Sequence, residues 1–229
     1  MPTIRVASYN IHRAIGTDGR RDAGRIGAVI GEIDAHIIAL QEVDWHDHRH
    51  WQVEYLAQLP GYEAVPGPNI RDHRGEYGNL LLTRAPVRQV RRLDLSMSRR
   101  EPRGAIDADV DIDGTPLRVV ATHFGLGAGE RWRQAVRLGR ALSAGPDGAT
   151  VLLGDLNDWT PGSLSLRPLL RLCGPAPHAP TFPSRRPLFA LDRILVRQLP
   201  PPIGFRPHAS ALARVASDHL PVAAGIQVP

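Results

Sequence analysis

TIRVASYNI (3–11), RIGAVIGEI (25–33) and HIIALQE (36–42) stand in that order near the N-terminus, and the fold class follows from reading them together. The first is rich in β-branched residues and reads as a strand. The second places Ile26, Val29, Ile30 and Ile33 at the i, i+3, i+4, i+7 spacing of a helix with one buried face. The third is a short continuous apolar run, the mark of a strand covered on both faces. Strand, helix, strand is the signature of a βαβ unit.

Outward from that unit the same logic continues. YGNLLLT (77–83) and VRQVRRL (87–93) read as strands, and AIDADVDI (105–112) meets PLRVVATHF (116–124) through Asp113, Gly114 and Thr115, the turn chemistry of an antiparallel hairpin. GERWRQAVRLGRALSA (129–144) has helical spacing through Trp132, Ala135, Val136 and Leu142, and ATVLLGDLN (149–157) is another apolar strand with a polar end. Residues 160–188 read as loop, with a short helix at SLSLRPLLRL (163–172). Strands resume at ALDRILV (190–196), HASALARV (208–215) and LPVAAGIQV (220–228). No internal repeat or low-complexity tract interrupts the series. At 229 residues the chain suits one domain, 1–229, of α/β (α+β) class with helices covering mixed sheets.

Composition excludes some functions. Cys173 is the sole cysteine, so neither an intrachain disulfide nor a cysteine-based zinc site can be built. No run approaches the roughly 18 apolar residues of a membrane span, and the expectation is a soluble cytoplasmic protein. All 28 basic residues are arginine and the formal charge is +5, which fits an anionic partner but equally an arginine-rich genome.

Polar residues recur where strands end. Asn10 ends the first strand, Glu42 the second, and His123 the hairpin; Asp155 and Asn157 follow VLLG, Asp192 heads RILV, and Asp218 with His219 precede the last strand. A single such residue is commonly a turn former. A whole set on one rim of a sheet converges on one crevice. Carboxylates and an amide oxygen suit a hard cation such as Mg²⁺; histidines and asparagine amides donate to phosphate oxygens, and a spare carboxylate can activate water. That is equipment for phosphoester hydrolysis.

The motifs SYNIH (8–12), LQEVD (40–44), YGNLLLTRAP (77–86), ATHF (121–124), LLGDLND (152–158), LDRILV (191–196) and SDHLPV (217–222) together resemble the series of the endonuclease/exonuclease/phosphatase superfamily. This superfamily includes DNase I-like nucleases, neutral sphingomyelinases and inositol polyphosphate 5-phosphatases. The resemblance implies a four-layer α/β/β/α sandwich, two mixed sheets face to face with helices outside. It implies that Asn10 and Glu42 hold Mg²⁺ or Mn²⁺ with Asp218 nearby. Asp155 would take the proton of the attacking water and Asn157 would hold that water. His219, oriented by Asp192, and His123 would donate to the phosphate. Asn79 and Arg103 are candidate substrate contacts.

Several features stay outside that set. His46, His48 and His50 alternate in DWHDHRH (44–50), a spacing open to a transition metal but equally that of a solvated loop. Arg71, His73 and Arg74 fall in NIRDHRGEYGN (69–79), which reads as a polar loop. The expected substrate is a lipid-type or small-molecule phosphoester, since the chain lacks a basic segment interleaved with aromatics. Trp45, Trp51, Trp132 and Trp159 could each stack on a base. The alternatives are a nuclease using the same site and a binder of phosphate ligands without turnover. The binder would be expected to lack Glu42, Asp155 or His219, and all three are present.

Overall fold

A computed structural model describes residues 2–45, 51–73, 75–159, 162 and 164–229. His46, His48, His50 and Arg74 lie outside the described residues. The chain forms two mixed sheets. In the first, β1 (Thr3–Asn10) runs parallel to β2 (Ile37–Asp44) across the helix α1 (Ala23–Ile33), as the opening motif requires. With β3 (Glu63–Asp72), β4 (Gly75–Thr83), β10 (Ile203–Pro207) and β11 (Val222–Gln227) the order is β10-β11-β1-β2-β4-β3.

The second sheet has the order β5-β6-β7-β8-β9, built from Val87–Asp94, Gly104–Ile112, Thr115–His123, Thr150–Asp155 and Asp192–Arg197. β6 and β7 are joined by a two-residue loop at Asp113 and Gly114, both at positive φ, 51° and 89°. β7 and β8 run parallel across the helix α3 (Ala128–Ala144). Three further helices, α2 (Trp51–Ala57), α4 (Arg167–Cys173) and α5 (Ala213–Ala216), complete the described elements with two 3-10 turns.

Three apolar clusters divide the molecule into four layers. Ile4, Val6, Ile37, Ala39, Val119, Ala121, Val151, Leu153, Ile194 and Val222 meet between the sheets. Ala7, Tyr9, Ile38 and Leu40 face outward onto α1 through Ile26, Val29, Ile30 and Ile33. On the other side Val120, Leu152 and Leu195 pack on Leu138 of α3 and Leu169 of α4. The central strands β1, β2, β7 and β8 therefore send alternate residues to opposite faces, and both of their faces are covered. Among the described residues no helix is long and apolar enough to cross a membrane.

Three sequence expectations need correction. HASALARV is not a strand: Ala213–Ala216 is a short helix, and the strand lies just before it at Ile203–Pro207. Residues 69–72 and 75–79 are not a loop: they are the end of β3 and the start of β4, with Arg71 paired opposite Glu76 in the ladder. Pro66, Gly67 and Pro68 disguise β3, yet prolines are tolerated there because β3 is an edge strand. Finally, α3 buries Arg131, Gln134, Ala135, Leu138 and Leu142, leaving Trp132 51% exposed. The buried stripe admits Arg131 and Gln134 because their polar ends are bonded, Arg131 Nη1 to the Leu126 carbonyl and Gln134 Oε1 to the Gly125 amide at 2.8 Å.

Candidate active site

Strand parity explains how the polar set assembles. The inner face of β1 reads Ile4, Val6, Ser8, then Asn10; that of β7 reads Leu117, Val119, Ala121, then His123; that of β8 reads Val151, Leu153, then Asp155. Asp192 in β9 and Asn79 in β4 likewise share the parity of Ile194 and Leu81. The site is thus the end of the intersheet core, where the inward pattern changes from apolar to polar. In the second sheet His123 pairs with Asp155 and Asp155 with Asp192 on neighbouring strands. Gly154 permits that close approach, since a Cβ there would meet the Thr122 carbonyl oxygen at 2.1 Å.

Glu42 breaks the alternation. Counting by twos from Ile38 and Leu40 would send it to the helix-covered face. Between Leu40 and Val43 the pairing with β4 shifts, and Glu42 adopts φ 58°. This bulge returns Val43 to the outer face and re-aims Glu42 toward the crevice. Its Oε1 there accepts from Asn10 Nδ2 at 3.1 Å. The same amide donates to Asp155 Oδ2 at 3.0 Å, so one side chain holds two carboxylates from different sheets.

Asp155 is buried, and its Oδ1 accepts from the Asn157 backbone amide at 2.8 Å. Burial raises its pKa, the neighbouring His219 charge lowers it and Asp192 raises it, leaving it pushed up to about 6. His219 lies on the loop before β11, with Nδ1 2.9 Å from Asp192 Oδ2 and Nε2 3.8 Å from Asp155 Oδ2. Burial disfavours its imidazolium, but the Asp192 and Asp155 carboxylates outweigh burial and push its pKa up to about 10. It therefore carries charge at neutral pH, with Nδ1 donating to Asp192.

His123 is the opposite case. Burial first, then the charges of Arg103 and His219, hold its pKa well below the usual imidazole value, so the ring is neutral. Arg103 Nη1 lies 3.1 Å from its Nδ1. A guanidinium can only donate, so Nδ1 accepts and the proton sits on Nε2. Asn157 Nδ2, 3.1 Å from Nε2, is already a donor to the Phe124 carbonyl at 2.8 Å, so that approach sets donor against donor. Asp155 Oδ2 lies 3.6 Å from Nε2, beyond hydrogen-bonding distance.

Other sequence-chosen residues sit at the margin. Asp218 is half-buried, with Oδ1 3.8 Å from His12 Nδ1. Asn79 is buried and donates to the Gly104 carbonyl at 3.2 Å, while its Oδ1 has no partner. Arg103 also reaches Glu101 at 3.0 Å, and its Nε is unpartnered. Supporting residues escape sequence reading because their types are ordinary. Thr181 Oγ1 donates to Asp192 Oδ2 at 2.6 Å; Ser217 Oγ donates to the Asn10 carbonyl at 2.7 Å and accepts from the His219 amide at 3.3 Å. Phe182 lies with its ring 4.9 Å from that of His219.

The donor set suits a hard divalent cation. Glu42 and Asp218 are the carboxylates that remain partly open to solvent, Asn10 adds an amide oxygen, and none of the three is a thiolate. Asp155, Asp192 and His219 also bring ligand-type atoms within 4.8 Å of one another. An imidazolium already bonded to one of those carboxylates is a poor cation ligand, so the solvent-facing group fits better.

Comparison with known proteins agrees with this architecture. Residues 7–219 match the model of the Endonuclease/Exonuclease/phosphatase family. The uncharacterized protein YbhP of Escherichia coli K12 is 29% identical, covering 99% of this chain and 97% of YbhP. An endonuclease/exonuclease/phosphatase from Bacteroides vulgatus superposes with a TM-score of 0.81 at 21% identity, covering 100% of both chains. The mannosyl-6-phosphatase of Bacteroides thetaiotaomicron gives 0.74 at 19% identity, over 98% of this chain and 99% of that one. D. rerio TDP2 complexed with single strand DNA product gives 0.75 at 16% identity, over 100% of each. The match across 7–219, on a fold of two facing mixed sheets with their polar strand ends gathered at one rim, places this chain in the endonuclease/exonuclease/phosphatase family.

Proposed function

We propose that the chain is a Mg²⁺- or Mn²⁺-dependent phosphoesterase acting on a lipid-type or small-molecule phosphoester. The observation that carries this reading is the Asn10 amide joining Glu42 to Asp155, with the charged His219 ring beside Asp155. Members of the family hydrolyse phosphoester bonds.

Asn10, Glu42 and Asp218 would hold the cation, which when bound neutralises charge developing on the phosphoryl oxygens. Asp155 accepts a proton from water as the water oxygen bonds to phosphorus and the opposite P–O bond breaks; the departing oxygen takes a proton from solvent. A carboxylate titrating near neutrality is well matched to that work. His219, charged and fixed through Nδ1 by Asp192, presents its Nε2 proton to a phosphoryl oxygen, and His123 presents its own from the neighbouring strand. Asn157, held at φ 50° by its bonds to Asp155 and Phe124, orients the water. Arg103 and Asn79 keep unpartnered polar atoms beside this centre, which supports their assignment to substrate.

Turnover of bis-p-nitrophenyl phosphate, sphingomyelin, inositol phosphates, plasmid DNA and single-stranded RNA should require added Mg²⁺ or Mn²⁺ and vanish with chelator. Undiminished hydrolysis after exhaustive chelation, with no ion found by metal analysis, would remove the metal from the mechanism. A tightly held zinc would redirect attention to His46, His48 and His50. Preferential cleavage of the nucleic acids would favour the nuclease alternative.

A further inference from the structure

Beside the reacting centre the surface opens into a pocket of about 600 Å³, a size ordinary for small-ligand sites. Among the described residues its apolar walls are Trp159, Leu166, Leu170, Leu188, Phe189 and Leu195. Leu166 and Leu195 belong to the buried core and form the floor, whereas Leu188 at 71% and Phe189 at 39% stand exposed. Large apolar side chains gathered at a concave mouth mark a binding surface more often than isolated ones do.

A short chain of aromatic contacts links this pocket to the proposed catalytic rim. Trp159 follows Asn157 by two residues, and its ring meets Phe189 at 5.2 Å and, edge-on, Phe182 at 5.6 Å. Phe182 in turn lies against His219 at 4.9 Å. One ring therefore separates the pocket wall from the group assigned to the phosphate. Phe182 and Phe189 exchange backbone hydrogen bonds at 3.1 and 2.9 Å, which pins the wall in place.

Charge narrows the occupant. Asp158 and Arg193 line the pocket, but they pair at 3.4 Å with side chains 0% and 12% exposed, so each already faces an opposite charge. His178 is the other titratable lining residue among those described. A continuing polyanion would bring its next phosphate against the apolar pocket instead of against a cation. We infer that the pocket is a subsite for an uncharged alkyl group esterified to the phosphate under attack, so that the preferred substrate is an alkyl phosphoester. This rests on the phosphoesterase reading above and adds the substrate class to it.

A series of methyl alkyl phosphodiesters, with alkyl from methyl through butyl to octyl, tests it with Mn²⁺ below micelle-forming concentrations. kcat/KM should climb by about fourfold per buried methylene until the pocket is full. Two substitutions address the walls. Ala176 also lines the pocket, so Ala176→Phe occupies the cavity, and Leu188→Asn makes its mouth polar; each should lower the octyl-to-methyl ratio of kcat/KM, with thermal melts confirming that both variants fold. Turnover independent of chain length would overturn the subsite while leaving the phosphoesterase intact. A length dependence unchanged in both variants would also overturn it, by placing the chain elsewhere. No turnover of any ester, in this series or the wider panel, would overturn both readings.

Discussion

Asp155→Asn should lower kcat by on the order of 10³-fold, the typical worth of a positioned general base, while the Mg²⁺ concentration giving half-maximal activity stays nearly unchanged. Glu42→Gln should do the reverse. Losing a carboxylate that would touch the ion should weaken metal affinity, raising the half-maximal Mg²⁺ concentration by at least the roughly tenfold that outer partners contribute. The two side chains bracket one amide, Asn10, so the contrast is between neighbours and not between distant sites. An asparagine at 155 can still accept from the Asn157 amide, but its own NH₂ would face either Asn10 or His219. A thermal melt is therefore measured alongside the Mg²⁺ titration, to separate lost stability from lost chemistry. Rescue of Asp155→Asn by Mg²⁺, with Glu42→Gln beyond rescue, would exchange the two roles.

The largest stability effect is expected outside the set of site residues, at Asp107 of β6. Its carboxylate accepts from Arg118 Nε and Nη2 at 2.9 and 2.7 Å and from Arg91 Nε and Nη2 at 3.2 and 3.0 Å. Arg118 also donates to the Leu142 and Ala141 carbonyls at 3.2 and 3.4 Å, tying the end of α3 to the sheet. Asp107→Ala leaves the Arg118 guanidinium, 6% exposed, without its carboxylate. Breaking one side of such a pair costs about 3–5 kcal/mol. Removing both partners, in Asp107→Leu with Arg118→Met, should restore much of that loss. Burial raises the Asp107 pKa, but its bonds to Arg118 and Arg91 outweigh burial and hold it below the usual carboxylate range. The pair's contribution is then fully present above the unfolded pKa near ~3.9 and fades as pH falls through the lower folded value. Urea melts should show the full difference between parent and variant at pH 7 and a smaller one at pH 3. A difference under ~1 kcal/mol at pH 7 would show that the ion pair contributes as little as an exposed one.

How much of this was legible in the sequence depended on whether a residue obeyed its strand's parity. Asn10, His123, Asp155 and Asp192 each continue or precede an inward apolar series, so apolar runs with polar ends announced both the sheets and the rim. Glu42 was singled out as a strand-ending carboxylate, but its direction depends on a bulge and a positive φ that no local pattern displays. β3, at Glu63–Asp72, hid behind edge-strand prolines, whereas most of β4 was read from YGNLLLT. The burial of Arg131 in place of Trp132 was invisible because it depends on the turn that brings the Leu126 carbonyl back to the helix and on the distant Ser165 hydroxyl. Thr181 and Ser217 carry no signal of their own: a hydroxyl counts as part of the site only once Asp192 and His219 are placed beside it.

The central claim is that water attacks phosphorus at the centre formed by Asn10, Glu42, Asp155 and His219. Its most direct test is hydrolysis in ¹⁸O-enriched water with Mn²⁺, across the soluble esters and sphingomyelin, followed by mass spectrometry of both products. The expected result is one ¹⁸O atom per turnover in the phosphate-bearing product, none in the released alcohol, and no labelled product from Asp155→Asn over the same interval. Label in the alcohol, or labelling by Asp155→Asn at the parent rate, would contradict it.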